Sequence, residues 1–160
     1  MNINQFNTTD ACNVPTRLSL KDPFSEEVIK DEAGKPLDVF VYGMQSDVFR
    51  NAKKARDRKY GKEDKLDEEQ AELAGAEMLA AITQGWSGNW EEDGEPLAYN
   101  KANAIRIYIE QDWIAKQVLT HACQLRNYDP KRLKGSGSGS GSSAGSTRSQ
   151  KGKKKVEENS

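Results

Sequence analysis

The sequence predicts an α+β protein. A small N-terminal β-hairpin or meander packs on a mainly helical body of about four helices, and a disordered C-terminal tail follows. Three observations carry this. Period-two alternation is confined to residues before Gly43. Helical spacing with cap residues takes over after Gly43 and lasts to about Arg126. From Gly135 the chain reads GSGSGSGSSAGSTRS, too poor in apolar surface to offset the entropy of ordering a backbone. The division is therefore a body over residues 1–134, with a frayed arm at 1–14, and a Gly/Ser linker with a basic tail over 135–160.

Each element has its own signal. Thr16 to Leu20 alternates like a half-buried strand, and Asp22-Pro23 interrupts it. Glu27 to Lys30 reads as a second short strand. Asp31 to Lys35 is turn chemistry, and Pro36 to Tyr42 is the best strand, with Leu37, Val39 and Val41 on one face. Ser46 caps a first helix from Asp47 to Tyr60, which Gly61 ends. Asp67 and Gln70 form a capping-box relative for a second helix. Its stripe of Ala71, Ala74, Gly75, Met78, Leu79 and Ile82 is small enough to admit a close neighbour, and Gly85 closes it. Asn100 caps a third helix that buries Ile105, Tyr108 and Ile109. Asp112 caps a fourth, running from Trp113 to about Arg126, with Ile114, Val118, Ala122 and Leu125 inward.

Composition narrows the function. A body of this size holds one modest core. The chain has a net charge of −1, but five basic and two acidic residues follow Gly135, which leaves the body at −4. An acidic body argues against a globular nucleic-acid binder, which needs a basic face. Cys12 and Cys123 are far apart and read as free thiols of a reducing cytosol. The polar start MNINQFNTTD lacks a signal-peptide core, and no apolar run approaches the ~20 residues of a membrane helix. The triplet Asn7-Thr8-Thr9 means nothing without a secretory route.

Catalytic and cofactor motifs are missing: there is no phosphate loop, HExxH, zinc-spaced Cys/His set or EF-hand. Gly141 to Gly145 fits GxSxG only as an accident of the Gly/Ser coil. His121 reads as a packed structural histidine rather than a general base, since Cys123 points to another face. Glu91, Glu92, Asp93 and Glu95 read as a solvated turn rather than a cation loop. The basic face of the first helix is solvated or meets an acidic partner. The cluster Lys151 to Lys155 is a solubilising end, a nucleic-acid arm, or a mark of the gene rather than the protein. Trp86, Trp90 and Trp113 are core anchors by default, but Trp86 and Trp90 flank a Gly-containing bend that disfavours burial of both. Phe49, Trp86, Trp90 and Tyr108 are the candidates for partner contact.

The order of pieces resembles the tail assembly chaperones of long-tailed, siphovirus-type phages. The pieces are TRLSLKDPF, the turn Asp31 to Pro36, Tyr42-Gly43, Ser46-Asp47-Val48-Phe49-Arg50, Gly85-Trp86, Leu97-Ala98-Tyr99-Asn100, Asn103-Ala104, Tyr108, Asp112-Trp113-Ile114 and Gln117-Val118. They span residues 16 to 128. The resemblance implies a non-enzymatic assembly factor of the host cell cytoplasm, without cofactor, that binds the tape measure protein and keeps it soluble until tail tube subunits polymerise. It also implies a longer frameshifted product that reaches the tail tube protein, with Gly152, Lys153, Lys154 and Lys155 as candidate slippery codons. The GSGSGSG repeat has the wording of an artificial linker as well. The rival readings are a structural tail or connector protein kept in the virion and a nucleic-acid adaptor using the basic tail. Self-association is compatible with all three.

Overall fold

Residues 1–61 and 65–136 are described by a computed structural model. In chain order the elements are α1 (Thr8–Cys12), β1 (Thr16–Ser19), β2 (Asp38–Val41), α2 (Asp47–Tyr60), α3 (Glu68–Ala81), β3 (Thr83–Trp86), β4 (Glu91–Glu92), β5 (Glu95–Pro96), α4 (Lys101–Glu110), α5 (Asp112–Cys123) and α6 (Pro130–Ser136). Short 3₁₀ turns lie at Ile3–Phe6 and Leu125–Tyr128. The expectations for residue 137 onward, including Gly152 to Lys155, fall outside the described residues.

The α+β class holds, but the sheet is not purely N-terminal. Its order is β1-β2-β3, antiparallel throughout, so β2 is central. The third strand comes from Thr83 to Trp86, where the sequence suggested only a helix end. Gly85 therefore does not close a helix. It lies in β3 opposite Phe40, with the Tyr99 ring over it. The Glu27 to Lys30 strand reduces to two isolated bridges, Lys21 to Val28 and Lys30 to Pro36.

Central position explains why β2 is buried so deeply. Val39 and Val41 are fully buried and pack with Leu20, Ile82, Ile107, Ile114 and Val118. Asp38 is buried too, and its carboxylate accepts the Ser19 hydroxyl at 2.6 Å. A buried carboxylate needs such a donor to offset lost hydration.

The helix caps form where the sequence places them. Ser46 accepts the Phe49 N–H at 3.1 Å, and the Asp67–Gln70 capping box is complete. Asn100 accepts the Asn103 N–H at 2.7 Å. The fourth helix departs from expectation. Its cap residue is Gln111, Asp112 falls in the first turn, and the helix stops at Cys123. Leu125 then lies in the 3₁₀ turn and is 42% exposed rather than inward. The third helix turns Ala104, Ile107 and Tyr108 fully inward, while Ile105 and Ile109 are only half-buried. Asp93 and Gly94, both at positive φ, close the β4–β5 hairpin as the DG turn of a tight ribbon. Arg106 grips Glu92 there through two bonds of 2.8 Å.

Residues 8–14 are not a frayed arm. Cys12 is fully buried, and its carbonyl accepts the Gly43 N–H at 3.1 Å. Asn13 and Asp47 exchange two bonds, of 2.8 and 2.9 Å. Gly43 is required by this contact, because a Cβ there would stand 2.3 Å from Cys12 Sγ. Ile3 and Phe6, ahead of α1, remain exposed.

His121 ties α5 to β1. Its Nε2 lies 2.8 Å from the Thr16 hydroxyl, and its ring meets Tyr128 edge-on at 5.7 Å. Burial, aided by Arg132, pushes the imidazole down to about 4 from 6.5.

Two predictions follow from this packing. Gly43→Ala should lower the unfolding free energy by about 1–3 kcal/mol through overpacking. In denaturant titrations it should couple non-additively with Cys12→Gly, which removes the clashing atoms. Between about pH 6.5 and 4 the unfolded chain takes up a proton at His121 that the folded chain refuses. Stability should therefore fall as pH drops through that window, and His121→Gln should flatten that part of the profile in urea titrations at stepped pH.

Candidate functional site

The features that favour a partner converge on a groove between α2, α3 and the α4–α5 corner. It has a volume near 580 Å³. Its floor is Tyr108, Ile82 and Ala76, all buried. Its apolar walls are Phe49 on α2, Met78 and Leu79 on α3, and Leu119 on α5. Met44 closes one side.

The groove exists because α2 stands apart from α5. α2 contributes no fully buried residue, and only Val48, Phe49, Ala52, Arg56 and Tyr60 are half-buried. A helix this polar has little area with which to close onto a core. Its C-terminal end is fastened to α3 instead. Glu77 accepts Lys59 Nζ at 2.6 Å and the Tyr60 hydroxyl at 2.5 Å. Burial opposes ionisation of Glu77, but these two bonds outweigh it and hold the carboxyl below its usual range.

The α3 wall is low. The stripe expected from the sequence divides: Ala74 and Ile82 are buried, together with Ala76 and Ala80 from outside it, Met78 and Leu79 are half-buried, and Ala71 and Gly75 are exposed at the groove. A Cβ on Gly75 would meet nothing within 4 Å. Small residues at this spacing let a guest backbone come close. Methionine at Met44 and Met78 adds side chains that adapt to varied apolar partners.

Of the four contact candidates, the structure brings two to this groove. Phe49 lines it half-buried. Tyr108 forms its floor, 4% exposed, with its hydroxyl 2.6 Å from Thr83 Oγ1, and burial pushes that hydroxyl well up. Trp86 and Trp90 lie elsewhere. The bend between them does not expose either one. It folds the rings into a parallel stack 4.4 Å apart, 8% and 5% exposed. The Trp86 indole donates to the Leu97 carbonyl at 2.9 Å and the Trp90 indole to the Asp38 carbonyl at 3.2 Å, so both polar atoms are satisfied inside. Met44, Gly75 and Leu119 were not among the candidates, although the small-residue stripe of α3 was the signal for Gly75.

Among the described residues, no group of His, Cys, Asp and Glu is placed to hold a metal ion. No described helix is long and apolar enough to cross a membrane.

A family model described as YdaY prophage protein matches residues 43–136, more than half of the chain. The chain belongs to the YdaY prophage protein family. It is thus a phage-derived protein. No curated protein and no solved structure matches it. The YdaY segment contains all the residues that line the groove. It omits α1, β1 and β2, which means that β3 has its pairing partner outside the family match.

A fragment of residues 43–136 should consequently fail to fold. Without β2 it uncovers Ile82 and Trp86, and it should show no cooperative thermal transition by circular dichroism, whereas the full chain melts sharply.

Proposed function

We propose that this YdaY-family protein is a non-enzymatic tail assembly chaperone of the host cell cytoplasm. It binds a helical segment of the tape measure protein in the α2–α3–α5 groove, keeps that protein soluble, promotes tail tube assembly and leaves before the virion is complete. The groove is the observation that carries this reading. A long helix with an exposed apolar face aggregates unless something covers it, and a shallow groove with a small-residue wall accepts one such face. The prophage family supports a phage role. The resemblance over residues 16 to 128 supplies the client.

A longer frameshifted form would carry the same groove and add a module that recruits the tail tube protein, with the Gly/Ser stretch as tether. That part needs a slippery heptamer at the codons for Gly152 to Lys155, and sequencing the gene decides it.

The test is co-expression with the neighbouring long helical gene product. Wild type should keep that product in the soluble fraction and should be missing from purified particles by mass spectrometry. Gly75→Leu separates folding from function. A Cβ at Gly75 meets nothing within 4 Å, and replacing a helical glycine should raise stability by up to ~1 kcal/mol. The same leucine fills the groove and should abolish rescue of the client. A Gly75→Leu protein that melts normally and still rescues would refute the groove as the binding site.

A further inference from the structure

Phe24 is 95% exposed, so its ring stands almost wholly in water. The loop that carries it is nonetheless well fastened. Lys21 bridges Val28 across its base, and the Gln117 amide on α5 holds both backbone groups of Lys21 at 2.9 and 2.8 Å. At the tip, the Asp22 carboxylate accepts the Phe24 and Ser25 N–H groups at 2.7 and 3.2 Å. The Asp22 N–H donates to the Glu27 carbonyl and the Glu26 N–H to the Asp22 carbonyl, both at 2.8 Å. Glu26 closes the turn at a φ of 64°, in the left-handed region. A ring held out on a backbone this well bonded loses little freedom on meeting a pocket.

The chain also supplies a pocket. The α2–α3–α5 groove is open and walled by Phe49, Met78, Leu79 and Leu119. Loop and groove flank α5, and Lys116 borders both, but the fastened loop leaves its own groove empty. We infer that Phe24 of one copy seats in the groove of a second copy of this chain. An aromatic ring entering an apolar pocket is a common interface anchor. Charge favours this guest. The tip brings Glu26 and Glu27, both exposed and neither in an ion pair among the described residues. The α2 wall brings Lys53, equally exposed and equally without an ion pair among the described residues. Lys116 is already held by Asp112 at 2.9 Å, and Glu72 on α3 turns the acidic tip toward α2. The inference goes beyond the chaperone reading and needs no client. Where the groove takes a client helix, the two guests compete, and an empty groove is covered by a neighbour rather than left to aggregate.

One knob buries less than the roughly 800 Å² per partner of a standard interface, so the association is weak. In sedimentation velocity the full-length protein should move from monomer toward larger species between about 10 and 300 μM. Phe24→Ala should weaken that association at least about tenfold. It should melt like wild type, because the ring makes no buried contact. Gly75→Leu, or Leu119→Glu if the leucine fails to fold, blocks the groove and should stay monomeric as well. Mixed with Phe24→Ala, the groove variant should form a 1:1 complex, since each supplies the part that the other lacks. Association that survives Phe24→Ala, as one through Ile3, Phe6 or Leu125 would, overturns the inference. So does a wild type that remains monomeric at the highest concentration, or a mixture that fails to pair. These measurements use the purified protein alone, whereas the chaperone reading stands or falls on client rescue, so either fails without the other.

Discussion

The stacked indoles of Trp86 and Trp90 hold the two halves of the fold in register. Trp86 ends β3, and Trp90 follows the bend that leads into the β4–β5 hairpin. One ring bonds Leu97, on the way to α4, and the other bonds Asp38 at the start of β2. Tyr99 meets Trp86 edge-on at 5.0 Å and donates its hydroxyl to the Thr83 carbonyl. Sheet and helices thus share one aromatic knot, whose polar atoms are all directed at backbone carbonyls. Such satisfied bonds inside a core fix geometry more tightly than apolar contact alone.

Much of the distinctive wording of the sequence belongs to the scaffold. Many of the quoted pieces do structural work. Ser46 and Asn100 cap helices, Asn103 donates to the Ala98 carbonyl at 2.9 Å, and the Gln117 amide holds the Lys21 backbone through bonds of 2.9 and 2.8 Å. They determine the shape of the scaffold. The groove is lined by less distinctive residues, such as Ala71, Gly75 and Leu119.

Local signals were readable and non-local ones were not. The ends of α2 and the Asp67–Gln70 cap depend on neighbours within a turn, so the sequence displays them. β3 depends on β2, more than forty residues earlier, and its TQGW offers no alternation to mark a strand. α1 is too short to show a period and is recognised only by what it touches, Gly43 and Asp47. The groove was partly legible. The α3 stripe announced a close neighbour, but the gap between α2 and α5 reflects how little apolar area α2 can bury. That balance belongs to the assembled fold.

The two thiols report on this architecture without any added label. Cys123 is exposed and Cys12 is sealed beneath Gly43, where burial pushes its thiol up and away from the reactive thiolate. An alkylating reagent reaches one at once and must wait for the other until α1 lifts. The lag between the two modifications is a clock for the opening of the N-terminal segment, a motion that the family-matched region cannot record on its own.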